Sequence, residues 1–239
     1  MTGVLANSVE EFAANLSAVS ARIEAAARSV GRQPEEVRLL PVSKTVPVDR
    51  LRMAVAAGMT QLAENKAQEL ALKASQMAEL GVRWCAIGHL QTNKVREVAR
   101  YATEFHALDS TRLADALQRR LEAEGRVLEV FVQVNTSGEE TKSGLAPGEL
   151  AHHLDHFATL PNLRVRGLMT LAANSPDEAV VRGNFALLRS LRDAAVAAGH
   201  QRVRELSMGM SGDLEWAIAE GATTVRVGQA LFGARTAVA

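Results

Sequence analysis

Between Val37 and Gly228 eight short β-branched runs alternate with seven longer Ala/Leu-rich amphipathic stretches. This alternation limits the fold more than any other feature of the chain. The pattern predicts strands near 37–42, 60–64, 83–87, 104–108, 128–134, 163–168, 203–207 and 223–227. Helices are predicted over about 48–57, 66–80, 93–101, 111–124, 148–159, 176–198 and 212–220. An additional helix opens the chain, with Ser8 and Glu11 at capping-box spacing and apolar residues recurring from Val9 to Val30. Gly58, Gly81, Gly125, Gly199 and Gly221 stand where helices should stop before strands. The run Ser175-Pro176-Asp177-Glu178 reads as a cap, a first-turn proline and two acids at a helix start.

Strands joined by helical crossovers must lie parallel in a sheet covered on both faces. An open doubly wound sheet usually carries a glycine-rich turn after its first strand, and here that position reads PVSKTVP. The expectation is therefore an α/β fold, a single (β/α)8 TIM-type barrel with an extra N-terminal helix, and one domain over residues 1–239. A length of 239 residues suits it.

Charge narrows the partners. Lys plus Arg and Asp plus Glu both number 27, so no global field draws nucleic acid or an anionic membrane. Neither is expected as a partner. Cys85 is the one cysteine, which excludes an internal disulfide and favours a reducing compartment. With no leader pattern at the start and no apolar run long enough to cross a bilayer, the expected location is cytoplasmic and the expected state monomeric.

In such a barrel, functional groups stand where strands end and loops begin. Lys44 follows the first strand there, and a desolvated lysine amine can condense with an aldehyde. Asn65, after strand two, would point an amide into the mouth, whereas Glu69 is expected on the helix surface. After strand three, His89, Gln91, Asn93 and Lys94 crowd into six residues, without a second His or Cys at ligand spacing for a metal. His152, His153 and His156 could chelate at helical spacing but read more simply as a solvated face. The polar loop from Asn135 to Gly144, with two glycines, reads as functional.

The strongest local signal lies near the C-terminus. Strand seven ends in Ser207-Met208-Gly209-Met210-Ser211, and strand eight in Arg226-Val227-Gly228-Gln229, each ahead of a helix start. Barrels bind phosphate in the loops after strands seven and eight, where small residues let backbone N–H groups approach the oxyanion. A mouth lysine and a phosphate cup together describe an aldehyde-bearing phosphate, as pyridoxal 5′-phosphate (PLP) is. PLP sites set Asp or Arg against the pyridine nitrogen, and Arg226 is the candidate. Arginine does not readily give up a proton, so the ring would be a weak electron sink.

The stretches LLPVSKTVP, AENKAQE, IGHLQTNK, NTSGEETKSG, RGLMTL, LSMGMSGDLEWAI and TTVRVGQALFGAR closely resemble the pyridoxal phosphate homeostasis protein family, the proline-synthetase-co-transcribed proteins, from about Ser8 to Arg235. The resemblance implies a barrel like that of alanine racemase, with PLP held as a Schiff base on Lys44. It implies binding residues at Asn65, Ser207, Met208, Gly209, Ser211, Arg226, Gly228 and Gln229, and no catalytic or metal-ligating residue. It also implies a role in keeping or delivering PLP, to apo-PLP enzymes among others, rather than catalytic turnover. Lys142 matches a lysine linked in the family to PLP handling. The chain departs from the family pattern at Ala63, at Cys85-Ala86 in place of His-Phe, and at Gln229 in place of a small hydroxyl residue.

Two other functions compete with it. A racemase of the alanine racemase type needs a tyrosine from a second, β-rich domain. No such domain is expected in a chain ending at Ala239, and Tyr101, the one tyrosine, should lie away from the mouth. A phosphosugar-type barrel enzyme would use the cup and leave Lys44 idle.

Overall fold

The computed structural model describes residues 5–233; Ala234 and Arg235 of the last matching stretch lie outside them. Eight parallel strands form one sheet in the order β1-β8-β7-β6-β5-β4-β3-β2. They are β1 (Arg38–Pro41), β2 (Gln61–Glu64), β3 (Arg83–Ala86), β4 (Ala102–Leu108), β5 (Leu128–Gln133), β6 (Leu163–Met169), β7 (Glu205–Ser207) and β8 (Thr224–Val227). The two ends of this order meet. Val42 bridges Ala63, and the Ser43 N–H donates to the Ala63 carbonyl at 2.9 Å, closing the sheet into the expected barrel.

The helices are α1 (Val9–Ser29), α2 (Val48–Ala56), α3 (Ala67–Gln76), α4 (Val95–Tyr101), α5 (Thr111–Ala123), α6 (Leu150–Ala158), α7 (Glu178–Ala197), α8 (Leu214–Ala219) and α9 (Gln229–Phe232). The five glycines expected to end helices all take positive φ. Three details differ from the periodicity. Helix α3 stops at Gln76, and a 3-10 turn over Ala78–Leu80 covers the rest of the predicted span. A second 3-10 turn, Thr92–Lys94, precedes α4. At α7 the cap is Asp177, which accepts from the Ala179 N–H, so Pro176 lies before the helix and not in its first turn.

Helix α1 is capped by Ser8 Oγ, which accepts from the Glu11 N–H, while the Glu11 carboxylate accepts from the Asn7 N–H at 2.7 Å. It buries Phe12, Val19, Ile23 and Ala27. Polar bonds fix it over the end of the barrel wall: Asn15 Nδ2 donates to the Leu231 carbonyl and Arg22 pairs with Glu215.

The barrel interior has two zones. An apolar cluster of Leu40, Val42, Ala63 and Cys85 lines one side. Across it, Arg38 of β1 makes a two-pronged ion pair with Glu104 of β4, at 2.6 and 2.8 Å. Those strands are not neighbours in the sheet, so the pair spans the interior. Gln61 Nε2 donates to the same carboxylate at 2.8 Å, and His106 Nε2 lies 3.0 Å from it. Four hydrogen bonds hold a carboxylate that burial would otherwise disfavour, and together with the Arg38 charge they keep Glu104 well below the usual carboxylate range.

Candidate active site: a basic mouth between the first and last strands

The carboxyl ends of β1, β7 and β8 bring Lys44, the Ser207–Ser211 segment and Arg226 together. Register fixes two of them: Leu40 pairs with Arg226, and the Val42 N–H donates to the Val227 carbonyl at 2.8 Å. Lys44 stands two residues beyond Val42, a member of the inner cluster, in the turn that leaves the carboxyl end of β1. Lys44 is half-buried.

Arg226 is buried, 4 % exposed, and its hydrogen bonds among the described residues run to neutral acceptors. Nη1 donates to the Ser207 carbonyl at 2.7 Å and to Ser207 Oγ at 2.8 Å, and Nη2 donates to the Thr170 carbonyl at 2.9 Å. Burial without a contacting carboxylate pulls the guanidinium down to about 10, opposed only in part by Asp213 and Cys85. Asp213 is itself raised, chiefly by burial. A guanidinium so placed stays a cation at neutral pH and is under-compensated, which suits a ligand bringing acceptors or negative charge.

The β7–α8 turn is built tightly. Gly209 has φ +91°, and a Cβ on it would stand 2.5 Å from the Ala217 methyl. The Met210 N–H donates to Asp213 Oδ1 at 2.6 Å, and Arg22 Nη2 reaches the Ser211 carbonyl at 3.2 Å, bracing the turn from α1. Gly228 forms the N-cap of α9 with no side-chain cap, and a Cβ there would lie 3.0 Å from the Val42 carbonyl. First-turn N–H groups have no partner inside a helix, so those of Gln229 and Ala230 are of the kind that receives an oxyanion.

The sequence-predicted residues divide. Lys44, Ser211, Arg226, Gly228 and the backbone of Gly209 share the mouth. Ser207 and Met208 are fully buried, and the Ser207 hydroxyl is engaged by Arg226 and His106, so Ser211 carries the more open hydroxyl of this turn. Asn65 is exposed at the end of β2, where Gly88 is packed against its backbone. Gln229 is exposed as the first residue of α9. Cys85 is buried in the inner cluster, and burial pushes its thiol up, so it is an unreactive wall residue. Tyr101 ends α4 just before β4 and so lies at the opposite end of the barrel from the mouth.

The Asn135–Gly144 loop is tied down. Asn135 Nδ2 donates to the Glu139 carbonyl, and Lys142 Nζ donates to the Ala172 carbonyl at 2.8 Å and pairs with Glu139 at 2.7 Å. Asn184 of α7 then links the loops after β5 and β6 through the Thr136 carbonyl and the Ala173 N–H. Lys142 therefore bridges two mouth loops. The histidines of α6 go separate ways: His153 contacts the Glu149 carbonyl and His156 pairs with Asp115. Among the described residues, the His, Cys and carboxylate groups that do converge are Cys85, Glu104 and His106, and there the carboxylate is already filled by Arg38, Gln61 and His106.

Sequence reading missed the supports beneath the mouth. Glu69, expected on the helix surface, accepts from the Thr45 N–H at 2.9 Å beside Lys44. Glu64 and Lys73 are buried behind it. His106 lies under Arg226 through Ser207. Polar residues at Glu104 and His106, two apart in a buried parallel strand, were a readable sign of this interior.

Residues 14–236 match the family model described as alanine racemase, N-terminal domain. The pyridoxal phosphate homeostasis protein of Pseudomonas aeruginosa is 44% identical over 224 residues, covering 94% of this chain and 96% of the relative. That of Escherichia coli K12 is 42% identical over 232 residues, covering 95% and 98%. The structure of PipY from Synechococcus elongatus PCC7942 with PLP bound superposes with a TM-score of 0.81 at 33% identity, covering 93% of this chain and 100% of that one. Alanine racemase of Clostridium difficile 630 shares the fold at a TM-score of 0.70 and 14% identity, with this chain spanning 57% of its length.

Proposed function

The chain belongs to the pyridoxal phosphate homeostasis protein family, and on that premise we propose that it binds PLP through Lys44 and serves to hold and hand on the cofactor. The observation that carries this reading is the buried, under-compensated Arg226 facing the same mouth as Lys44 and two glycine turns. The residues fit the group. Gly209 and Gly228 leave backbone where a Cβ would collide, so main-chain N–H groups and Ser211 can meet a phosphate. Arg226 can donate to the pyridine nitrogen without transferring its proton. When bound, PLP supplies an aldehyde that condenses with a lysine amine and releases water.

The residues of this chain then hold and orient. Arg226, fixed at Ser207 and Thr170, keeps the ring nitrogen unprotonated and so disfavours strong carbanion chemistry. Lys142, tied to Ala172, closes one side of the mouth. Tyr101 lies at the far end of the barrel, so it supplies no acid to the face opposite Lys44. Each missing acid or base group costs about 10²–10⁴ in rate, which argues for storage and exchange over racemisation. Apo-PLP enzymes are the recipients this reading calls for, and a monomer acting in the cytoplasm accords with it.

The test begins with PLP titration of the full chain, followed by borohydride reduction and peptide mapping. Violet-blue absorbance should develop, with the label on the Lys44 peptide, and Lys44→Ala should remain folded without the absorbance. Label on Lys142 or Lys66 instead would overturn the anchor. Rapid α-proton exchange of an amino acid in D₂O, at about 1–10³ s⁻¹, would replace the storage reading with an enzymatic one.

A further inference from the structure

We propose that the Glu64–Lys73–Glu69 triad is a positioning device for Lys44, holding the residues on both sides of it and keeping Thr45 in a left-handed backbone conformation. The inference rests on the reading that Lys44 is the PLP lysine.

Lys73 is 4 % exposed and Glu64 1 % exposed, although neither lies in the barrel mouth proper. The Lys73 ammonium uses all three of its protons: it donates to Glu64 Oε1 and Glu69 Oε1, both at 2.7 Å, and to the Ser43 carbonyl at 2.9 Å. Glu64 Oε1 also accepts from Ser43 Oγ at 2.6 Å. Glu69 Oε1 accepts from the Thr45 N–H at 2.9 Å. Lys44 is thus flanked on its N-terminal side by a residue held at its carbonyl and hydroxyl, and on its C-terminal side by a residue held at its amide.

The backbone shows what this holding accomplishes. The Val46 N–H donates to the Ser43 carbonyl at 3.0 Å, so Lys44 and Thr45 are the central residues of a tight turn. Thr45 has φ +66°, and it is the one non-glycine residue with positive φ among the described residues. That turn position favours Gly or Asn, and a β-branched side chain there is strained. Such strain persists where surrounding structure over-determines it, and here the Glu69 carboxylate grips the strained amide directly. The triad extends further than a helix-surface ion pair. Glu69 and Lys73 have i,i+4 spacing on α3, yet their shared charge is turned inward onto the β1–α2 turn. Glu64 Oε2 is buried with no hydrogen-bond partner, so the triad has a spare acceptor and no spare donor.

The direct experiment uses Glu69→Ala in the full-length protein, since Glu69 is only half-buried and its loss leaves the Lys73–Glu64 pair intact. PLP affinity should fall about tenfold, with an altered ratio of absorbance bands at fixed pH and an unchanged circular dichroism spectrum. Glu69→Gln keeps an oxygen for the Thr45 amide and should retain most of the affinity. Adding Thr45→Gly to Glu69→Ala should recover it, because glycine adopts positive φ without the carboxylate. A merely structural Glu69 would lower the melting temperature without moving the bands, and Thr45→Gly would not restore binding. Wild-type affinity and bands in Glu69→Ala, or no recovery in the double variant, would overturn the inference. A wild-type protein that is never labelled at Lys44 would defeat the underlying reading instead, so the two failures are told apart.

Discussion

Arg226 and His106 meet on a single hydroxyl: Ser207 Oγ accepts from Arg226 Nη1 at 2.8 Å and lies 2.9 Å from His106 Nδ1. Directions follow from the partners. Arg226 can only donate, so the Ser207 hydroxyl proton is free to point at His106 Nδ1. The imidazole then carries its proton on Nε2, against Glu104 Oε2 at 3.0 Å. Burial lowers His106 to about 4 and outweighs the pull of Glu104, so the ring is neutral at physiological pH. The chain from Arg226 to Glu104 therefore has one hydrogen-bond sense, with Arg38 donating into its far end, and it anchors the guanidinium from below.

Ser207→Ala should break that anchor. His106 Nδ1 would lose its partner, at a cost of about 1–3 kcal/mol in folding stability. Arg226 would keep its two carbonyl acceptors but lose the contact that sets its tilt. Because this change acts at the ring end of the mouth, PLP and pyridoxal should lose affinity by the same factor, measured by absorbance titration of each. A loss confined to PLP would mean that the hydroxyl serves the phosphate after all.

Gly228→Val should give the opposite signature. The added Cβ would stand 3.0 Å from the Val42 carbonyl, so the backbone must give way where the α9 N–H groups face the mouth. Losing one charge-assisted contact costs about 1.5–3 kcal/mol, or roughly tenfold to a hundredfold. PLP should weaken by that factor while pyridoxal changes little. Equal losses would place the phosphate elsewhere.

These residues also show how far the chain could be read in advance. The strands and helices were legible because short β-branched runs alternate with amphipathic stretches of period 3.6. The two glycine turns were legible because Gly209 and Gly228 follow strand ends. Lys73 was not, because a Glu69–Lys73 pair at i,i+4 looks the same in sequence whether it faces water or, as here, the Ser43 carbonyl. The direction of the Ser207 hydroxyl was not legible for a related reason: only the pairing of β7 with β8 turns it to Arg226.

The interior histidine makes stability depend on pH in a defined window. An unfolded chain protonates His106 near its ordinary 6.5, whereas the folded chain resists until about 4. Acidification across that interval therefore favours unfolding. The contribution is complete above 6.5, fades toward 4, and amounts to about 3 kcal/mol in all. Glu104 adds its own loss only below its ordinary 4.5, since its folded value is depressed further. His106→Gln removes this titration and leaves the other five of the chain's six histidines in place, so the difference between the two proteins isolates it. Urea unfolding free energies measured from pH 7.5 to 4.5 should fall more steeply for the wild-type chain than for the variant. Parallel curves would show that His106 is not held neutral by burial, and the Ser207–His106 hydrogen bond would then have to run from the ring Nδ1–H to the hydroxyl oxygen.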